Sequence, residues 1–268
     1  MHPMLNIAIR GARKAGDFLA KHFDTNDAID VSNQSNQNII NYINHEAERL
    51  ITEVIHKYYP QHAVINANNR ELSGIDRDIQ WINNIIDNST NFMKRIPNIA
   101  VSVALRIKER TELAVIYDPM RNELFSAIRG HGAQMNGYRL RSSTIRDLES
   151  TILAINFPFQ KKQNTTKYIV ILNQLLLQCL DFRCTGSIAL DFAYLAAGKV
   201  DGLFEIGLKQ SNIISGELLV RESGGLVTDF NGGNNHLFSG NIIAGNPRIV
   251  KSMLSLIREH FSNIINSF

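Results

Sequence analysis

The chain has 268 residues, of which 44% are apolar, and a formal net charge of +3. This length accommodates one large domain or two smaller ones with a shared core, and the apolar content excludes a fibre or a disordered chain. The charge is too small to require nucleic acid as a partner, although it is compatible with an anionic ligand or an RNA-associated partner.

The N-terminal segment carries Arg10 and Arg13 within its apolar stretch, so we expect neither a signal peptide nor a spanning helix there. No later segment reaches the roughly 20 consecutive apolar residues that a membrane helix needs. The two cysteines, Cys179 and Cys184, lack metal-binding spacing and are expected to be reduced thiols. The sequence therefore predicts a cytoplasmic protein.

Two helices are predicted before any long strand. Pro3 suits a first helical turn, and apolar residues at helical spacing predict a helix over residues 3–22. A polar loop is expected over 24–37. A second amphipathic helix is predicted over 44–59, where Pro60 ends it.

From about residue 63 the pattern changes to short strands joined by turns, which indicates a largely antiparallel sheet. After about residue 148 strands alternate with helices, as is typical of a more parallel, layered arrangement. We therefore expect an α/β (α+β) protein with a subdomain over 1–147 packed tightly on a subdomain over 148–268. Strands are predicted at 63–66, 79–86, 99–108, 112–119, 123–130, 132–137, 151–156, 181–184, 202–207, 224–230 and 241–245, and later helices at 164–178, 187–198, 213–224 and 247–264.

A polar turn follows the predicted strand that contains Trp81. Its sequence is WINNIIDNSTNF, residues 81–92, and its one carboxylate is Asp87. Small polar side chains at the end of a strand often form a site in α/β and α+β enzymes. This turn is unusually poor in charge for such a site.

These residues and four later segments resemble the inositol monophosphatase family, most closely its bacterial branch, the SuhB proteins. The family pattern D-P-x-D-G-T-T-N-F corresponds to residues 84–92. The resemblance extends over essentially the whole chain and implies a layered α-β-α-β-α sandwich. The other segments that carry it are 117–137, 184–205, 216–225 and 244–247.

The resemblance implies hydrolysis of phosphate monoesters with Mg²⁺, in which two or three ions bind the phosphate and generate a nucleophilic water. Mg²⁺ prefers carboxylate oxygens. Of the four family positions that ligate through a side chain, only Asp87 is a carboxylate here, and we expect the metal site to be largely lost. The family's ligand positions fall on Ala67, Asn84, Ile86 (through its backbone carbonyl), Asp87 and Asn212.

The family's water-activating pair falls on Ser89 and Asn44, and asparagine cannot act as a general base. The family's motif glycine falls on Asn88, which we expect to tolerate a positive φ. Arg183 aligns with a substrate-contacting arginine and either binds an anion or pairs with a neighbouring carboxylate. The resemblance places substrate contacts at Ile86, Asp87, Asn88, Ser89, Arg183 and Asn212.

The histidines show no spacing to a carboxylate or to a second histidine that would indicate catalysis or metal binding. His62, His131 and His236 lie in predicted turns, and we expect all three at the surface.

Two classes of function remain open. The first is a Mg²⁺-dependent phosphatase acting on inositol monophosphate or a similar polyol phosphate, with weak residual activity. The second is implied by the SuhB branch, whose members join RNA polymerase, NusA and other Nus proteins in the ribosomal-RNA antitermination complex. It further implies a role in ribosome biogenesis, a contact with the rRNA leader, and a homodimer or a monomer–dimer equilibrium.

We favour the interaction role because the losses fall on ligand positions, whereas the scaffold motifs of the second half persist. Gly186, Gly198 and Gly224 are examples of retained scaffold residues. Mutational drift toward AT-rich codons is the other explanation, since asparagine replaces aspartate by a single base change.

Overall fold

The computed structural model describes residues 2–25, 34–68, 71–157 and 165–265, with side chains described within 2–23, 38–68, 71–157 and 168–258. None of the described helices is long and apolar enough to cross a membrane, and both cysteines are free. The helices of the described chain are α1 Pro3–Thr25, α2 Gln34–His56, α3 Ser89–Met93, α4 Thr165–Leu176, α5 Ile188–Ala196, α6 Gln210–Glu222, α7 His236–Ser239 and α8 Pro247–Ile265.

The described strands form two sheets, one of eight strands and one of five. The first sheet contains β1 His62–Ile65, β2 Glu71–Ser73, β3 Asp76–Asn84, β4 Val101–Ile107, β5 Arg110–Asp118, β6 Glu123–Ile128, β7 Gly132–Met135 and β8 Tyr138–Arg139. The second contains β9 Ile152–Ile155, β10 Asp181–Arg183, β11 Gly202–Glu205, β12 Leu226–Thr228 and β13 Ile242–Gly245.

The first sheet has the order β2-β1-β3-β4-β5-β6-β7-β8. Its neighbouring strands pair antiparallel except β1 and β3, which run parallel. The prediction of a largely antiparallel sheet is confirmed. Because the turns between consecutive strands are short, the chain reverses direction at each turn, and neighbouring strands pair antiparallel.

The second sheet has the order β10-β9-β11-β13-β12. Strand β9 pairs parallel with both β10 and β11, whereas β13 pairs antiparallel with β11 and β12. This sheet is therefore mixed, and only its β9 side has the parallel arrangement that the alternating pattern suggested. Short loops around α7 return the chain to the sheet in the opposite direction.

The second helix differs from its predicted bounds, because it begins at Gln34 rather than near residue 44. Its first part is rich in asparagine, a poor helix former, and was therefore predicted as loop. Ile40 and Ile43 are buried there, at 5% and 1% exposure, and burial of an apolar stripe outweighs local propensity. Of the predicted loop 24–37, residues 26–33 lie outside the described residues.

Three apolar clusters arrange the elements in five layers. One cluster joins α1 and α2 to the first sheet, and the second joins that sheet to α5, α6 and the inner face of the second sheet. The third joins the outer face of the second sheet to α4 and α8. The predicted α-β-α-β-α sandwich is confirmed, while the division of the chain at residue 147 stays a prediction.

Helix α6 lies in the middle layer and is apolar on more than one side. Its buried residues include Ile213, Ile214, Leu218 and Leu219, which is typical of a helix enclosed between other layers. Ile214 packs against Ile82 of β3. Because side chains alternate along a strand, the next residue on that face of β3 is Asn84.

The approach of α6 to α5 requires a glycine. A Cβ on Gly216 would lie 2.2 Å from Cγ of Phe192, so we expect Gly216→Ala to lower the free energy of unfolding by about 1–3 kcal/mol through overpacking. Gly11→Ala is the matched control in α1, since a Cβ there would lie 3.5 Å from Ile51. The control should be neutral or stabilising by up to about 1 kcal/mol, because alanine favours helix. Urea denaturation of both variants measures the difference, and equal effects would contradict this packing.

Candidate functional site

The turn after β3 is built around Asn88, which caps the short helix α3. Its side-chain oxygen accepts a hydrogen bond from the backbone N–H of Asn91 (3.0 Å), and its amide nitrogen donates to the carbonyl of Gly186. Its φ is −142°, so the turn does not require the positive φ that we expected Asn88 to tolerate. An extended N-cap residue needs no glycine, because its side chain rather than its backbone satisfies the helix N-terminus.

The positive φ lies instead across the turn, at Gly186. Its φ is +78°, and a Cβ there would lie 2.9 Å from Nδ2 of Asn91. That amide donates to the backbone carbonyls of Asn98 (2.8 Å) and Thr185 (3.0 Å). The turn after β3 is thereby bonded to the segment that leads into α5.

The carboxylate of Asp87 is directed at the N-terminus of α5. Oδ2 accepts hydrogen bonds from the Ser187 hydroxyl and from the Ala189 backbone N–H (3.3 Å), and Oδ1 accepts from the Ala100 backbone N–H (3.0 Å). Ser187 itself caps α5 by accepting from the backbone N–H of Leu190. A carboxylate at a helix N-terminus is stabilised by the unpaired N–H groups and the helix dipole.

Burial raises the pKa of Asp87 to about 6, although its hydrogen bonds from Ser187, Ala100 and Ala189 favour the charged form. Desolvation therefore outweighs the three donors. No cation is needed to explain the position of this carboxylate.

Asn84 on β3 and Asn212 on α6, where the resemblance led us to expect aspartates in a phosphatase, meet as a pair of neutral amides. Nδ2 of Asn84 donates to Oδ1 of Asn212 at 3.0 Å. Asn84 is 6% exposed. The bond joins the end of β3 to the first turn of α6, which lie 128 positions apart in sequence.

The segment that contains Ala67 is also bonded to the start of α6. The Ser211 hydroxyl donates to the Ala67 carbonyl (2.9 Å), and Nζ of Lys209 donates to the side chain of Asn68 (3.0 Å). A cavity of about 510 Å³ opens beside these bonds. Its lining residues are Ala67, Asn68, Leu208, Lys209, Gln210, Ser211, Leu237 and Phe238.

These side chains do not fit the Mg²⁺ site of the family. Ala67 offers no side-chain oxygen, Asn84 and Asn212 hydrogen bond to each other, and Asp87 already accepts three donors. Within the part of the chain that the structure describes, no group of three or more His, Cys, Asp or Glu residues is placed to hold a metal ion. Hard divalent cations need several free anionic oxygens, which this donor set lacks.

The remaining predicted site residues are dispersed. Ser89 is exposed at the start of α3, and Nδ2 of Asn44 donates to Glu48 within α2 (3.0 Å). Ile86 packs its side chain against the cluster of α1, α2 and the first sheet. The assignment of Ser89 and Asn44 as a vestigial pair stays a prediction.

Arg183 lies at the surface and pairs with a neighbouring carboxylate, which was one of the two expected outcomes. Its guanidinium is 2.5 Å from Oδ2 of Asp181 and also donates to the Phe182 carbonyl (2.8 Å). Half of each ion-pair side chain is exposed. Such a pair contributes little stability, and the guanidinium stays accessible to an anion.

A buried acidic cluster behind this site was not recognised in the sequence. One amide nitrogen of Asn156 donates both to Asp191 (2.7 Å) and to Glu205 (2.8 Å). The Thr185 hydroxyl donates to Asp191 (2.7 Å). Asp191 and Glu205 are 1% and 2% exposed. This cluster also contacts the 184–187 segment, because the side-chain oxygen of Asn156 accepts a hydrogen bond from the Gly186 N–H.

The strand ends give the signal that identifies this cluster. Asn156 follows β9 and Glu205 ends β11, and these two strands are parallel neighbours with Ile155 opposite Phe204. The carboxyl ends of neighbouring parallel strands share an edge of the sheet, where polar side chains converge. Prediction of the parallel pairing of β9 with β11 would have placed Asn156 and Glu205 close together.

Burial dominates the ionisation of both acids. It raises the pKa of Asp191 to about 7 and the pKa of Glu205 well above its usual value, against the hydrogen bonds from Asn156. Two buried carboxylates that share one donor disfavour each other's ionised form.

The expected surface position of His236 is wrong. His236 is 2% exposed, and its Nε2 lies 2.9 Å from Oε1 of Glu217. Burial disfavours ionisation of Glu217, but hydrogen bonds from His236 and Arg221 outweigh it and lower the pKa of the carboxyl. The contact anchors α7 to α6. The other two histidines lie as expected only in part, since His131 is exposed and His62 stacks on Tyr59.

Comparisons with known proteins agree with this architecture. Residues 1–265 match the sequence profile described as the inositol monophosphatase family. The protein described as Nus factor SuhB of Escherichia coli (strain K12) is 56% identical over 265 residues, which are 99% of this chain and 99% of that protein.

Two solved structures share the fold. The crystal structure of extragenic suppressor protein suhB from Bartonella henselae is 32% identical, with a TM-score of 0.87, over 96% of this chain and 99% of that one. The inositol monophosphatase from Anabaena is 26% identical, with a TM-score of 0.83, over 96% and 95% of the two chains.

The raised pKa of Asp191 predicts a pH-dependent contribution to stability. Because the folded protein holds this proton more tightly, the contribution is complete below pH 4 and is lost as the pH rises to about 7. Asp191→Asn stays neutral, so its free energy of unfolding should rise relative to wild type by at most about 1.4 kcal/mol per pH unit in this window.

Urea denaturation between pH 4 and pH 8 measures this difference. The Thr185 hydroxyl can accept from the new amide while donating to the Ser187 carbonyl (3.2 Å), so the substitution should not disrupt folding. Glu149→Gln, at an exposed position, controls for the change in net charge. A difference between Asp191→Asn and wild type that stays constant with pH would contradict the prediction.

Proposed function

The chain belongs to the inositol monophosphatase family, and we propose that within this family it acts as a Nus factor in ribosomal-RNA transcription antitermination rather than as a phosphatase. The observation that carries the proposal is the Asn84–Asn212 bond (3.0 Å) at the family's metal-ligand positions. Where a phosphatase needs free carboxylates, this chain has two amides that bond each other.

The full-length similarity supports the same role. The Escherichia coli relative that is 56% identical over 99% of both chains is described as a Nus factor, and further proteins with this description are 46–48% identical. We propose a cytoplasmic protein that joins RNA polymerase and NusA, contacts the rRNA leader and supports ribosome biogenesis.

The reaction of the family has little support from the side chains present. A two-metal mechanism needs charge that offsets the repulsion between neighbouring ions and stabilises the transition state. Asp87 is the one carboxylate at the family's ligand positions, and its oxygens accept the Ala100 and Ala189 N–H groups and the Ser187 hydroxyl. Asn44 cannot take a proton from water.

An exposed apolar stripe on α4 supports protein binding. Ile169 and Leu176 lie seven residues apart and share one side of the helix, Val170 lies next to Ile169, and Leu177 directly follows the end of the helix. Their exposed fractions are 47%, 56%, 43% and 71%, and Leu180 continues the stripe at 66%. Strand β10, beside it, ends the second sheet. We propose this face as the homodimer contact, because a contiguous apolar surface of this kind marks an interface.

The test of the function has two parts. Mg²⁺-dependent phosphate release from inositol monophosphate should be at least about a thousandfold slower than for the Anabaena inositol monophosphatase, because three carboxylate ligands are missing. In transcription of an rRNA leader by purified RNA polymerase and Nus proteins, the chain should increase read-through of a terminator.

Each part can contradict the proposal separately. Phosphate release within about tenfold of the Anabaena enzyme would favour the Mg²⁺-dependent phosphatase. Failure to increase read-through, together with no binding to NusA or to the assembled complex, would exclude the antitermination role. The Escherichia coli relative serves as the positive control in the second assay.

The homodimer contact is tested by Leu177→Glu. A charge at this most exposed residue of the stripe should weaken self-association by about tenfold or more, because it must be desolvated at the interface. Ile75→Glu is the matched control, since Ile75 is 80% exposed and lies outside the stripe. Sedimentation analysis of both variants gives the dissociation constants, and equal values would rule out this face.

A further inference from the structure

We propose that the residues at the family's metal-ligand positions form a metal-independent clamp, in which Asn84 and Asn212 join β3 to α6 and Asp87 joins the turn after β3 to α5. The proposal goes beyond the antitermination role, because it concerns the contacts that hold β3 and the turn after it against α6 and α5. It assigns a structural role to the positions that bind metal ions in the family.

The first part of the clamp holds the N-terminus of α6. Asn84 donates to Asn212 (3.0 Å), and the neighbouring Ser211 hydroxyl donates to the Ala67 carbonyl (2.9 Å). Lys209, the N-cap residue of α6, donates to Asn68 (3.0 Å). Three polar contacts therefore join the start of α6 to the end of β3 and to residues 67–68, which follow β1.

The second part holds the N-terminus of α5. Asp87 accepts from the Ser187 hydroxyl, the Ala189 N–H (3.3 Å) and the Ala100 N–H (3.0 Å). These three donors fill three of the roughly four acceptor sites of the carboxylate, so little of its capacity is left for a metal ion. The helix N-terminus supplies the positive potential that a cation would otherwise supply.

The charges around the cavity disfavour a divalent cation as well. Among the described residues that line the cavity, Lys209 is the charged one, and none is a carboxylate. A divalent ion would meet an ammonium group and neutral amides there. Repulsion from Lys209 and the lack of an anionic ligand both oppose binding.

The reverse change defines the test. If Asn84 and Asn212 were aspartates, two carboxylates would face each other about 3 Å apart and would repel unless a cation lay between them. The double variant Asn84→Asp with Asn212→Asp should therefore unfold at a lower temperature in EDTA, by about 5 °C or more. Mg²⁺ should recover much of this loss.

The measurement is the unfolding temperature of the full chain by circular dichroism, in EDTA and in MgCl₂ at matched ionic strength. Wild type should give the same temperature, within about 1 °C, in both buffers. Asn122→Asp is the control for an added carboxylate: Asn122 is exposed, its Oδ1 already accepts from the Tyr117 hydroxyl (3.1 Å), and its variant should not respond to Mg²⁺.

Two results would overturn the clamp. One is a wild-type unfolding temperature that Mg²⁺ raises as much as that of the double variant. The other is a double variant as stable as wild type in EDTA. If the double variant does not fold, Asn84→Ala, Asn212→Ala and their combination replace it. The combined loss in unfolding temperature should then be smaller than the sum of the single losses, and additive losses would overturn the proposal.

Discussion

The enclosure of α6 between the two sheets is the constraint on which the site depends. The helix is buried on several sides, and Gly216 lets it lie directly against Phe192 of α5. Ile214 packs on Ile82, which fixes the axial position of the helix against β3. Asn212, two residues before Ile214, is then held opposite Asn84, two residues after Ile82. Apolar packing thus brings together two polar residues that are distant in sequence.

The electrostatic character of the site follows from what is placed there. The β3 and α6 positions meet as neutral amides, and the carboxylate of Asp87 accepts hydrogen bonds from the donors at the start of α5. Two further acids, Asp191 and Glu205, lie in the buried cluster behind the site, where burial raises the pKa of both and favours their protonated forms. The site therefore lacks the free anionic oxygens that binding of a divalent ion needs.

The surface of this folded chain offers contacts to partners that do not depend on the site. The buried layers match solved relatives closely, with a TM-score of 0.87 to the Bartonella henselae structure, so the scaffold is intact. The exposed α4 stripe and the accessible Arg183 present chemistry that does not depend on a metal ion. Substitution of buried residues at a site leaves the surfaces that a fold offers to partners unaltered.

The sequence by itself determined most helix and strand positions and the largely antiparallel first sheet, because periodicity is a local property. The layered sandwich and the three missing carboxylates were implied by the resemblance of its motifs to a known family. The sequence did not determine the start of α2, where burial of Ile40 and Ile43 outweighs the low helix propensity of asparagine. Only the tertiary structure decided that Asn88 caps a helix in an extended conformation, that His236 is buried against Glu217, and that Asn84 bonds Asn212. Each of these depends on a partner distant in the chain or on the backbone geometry of a turn, and neither is encoded in the spacing of neighbouring residues.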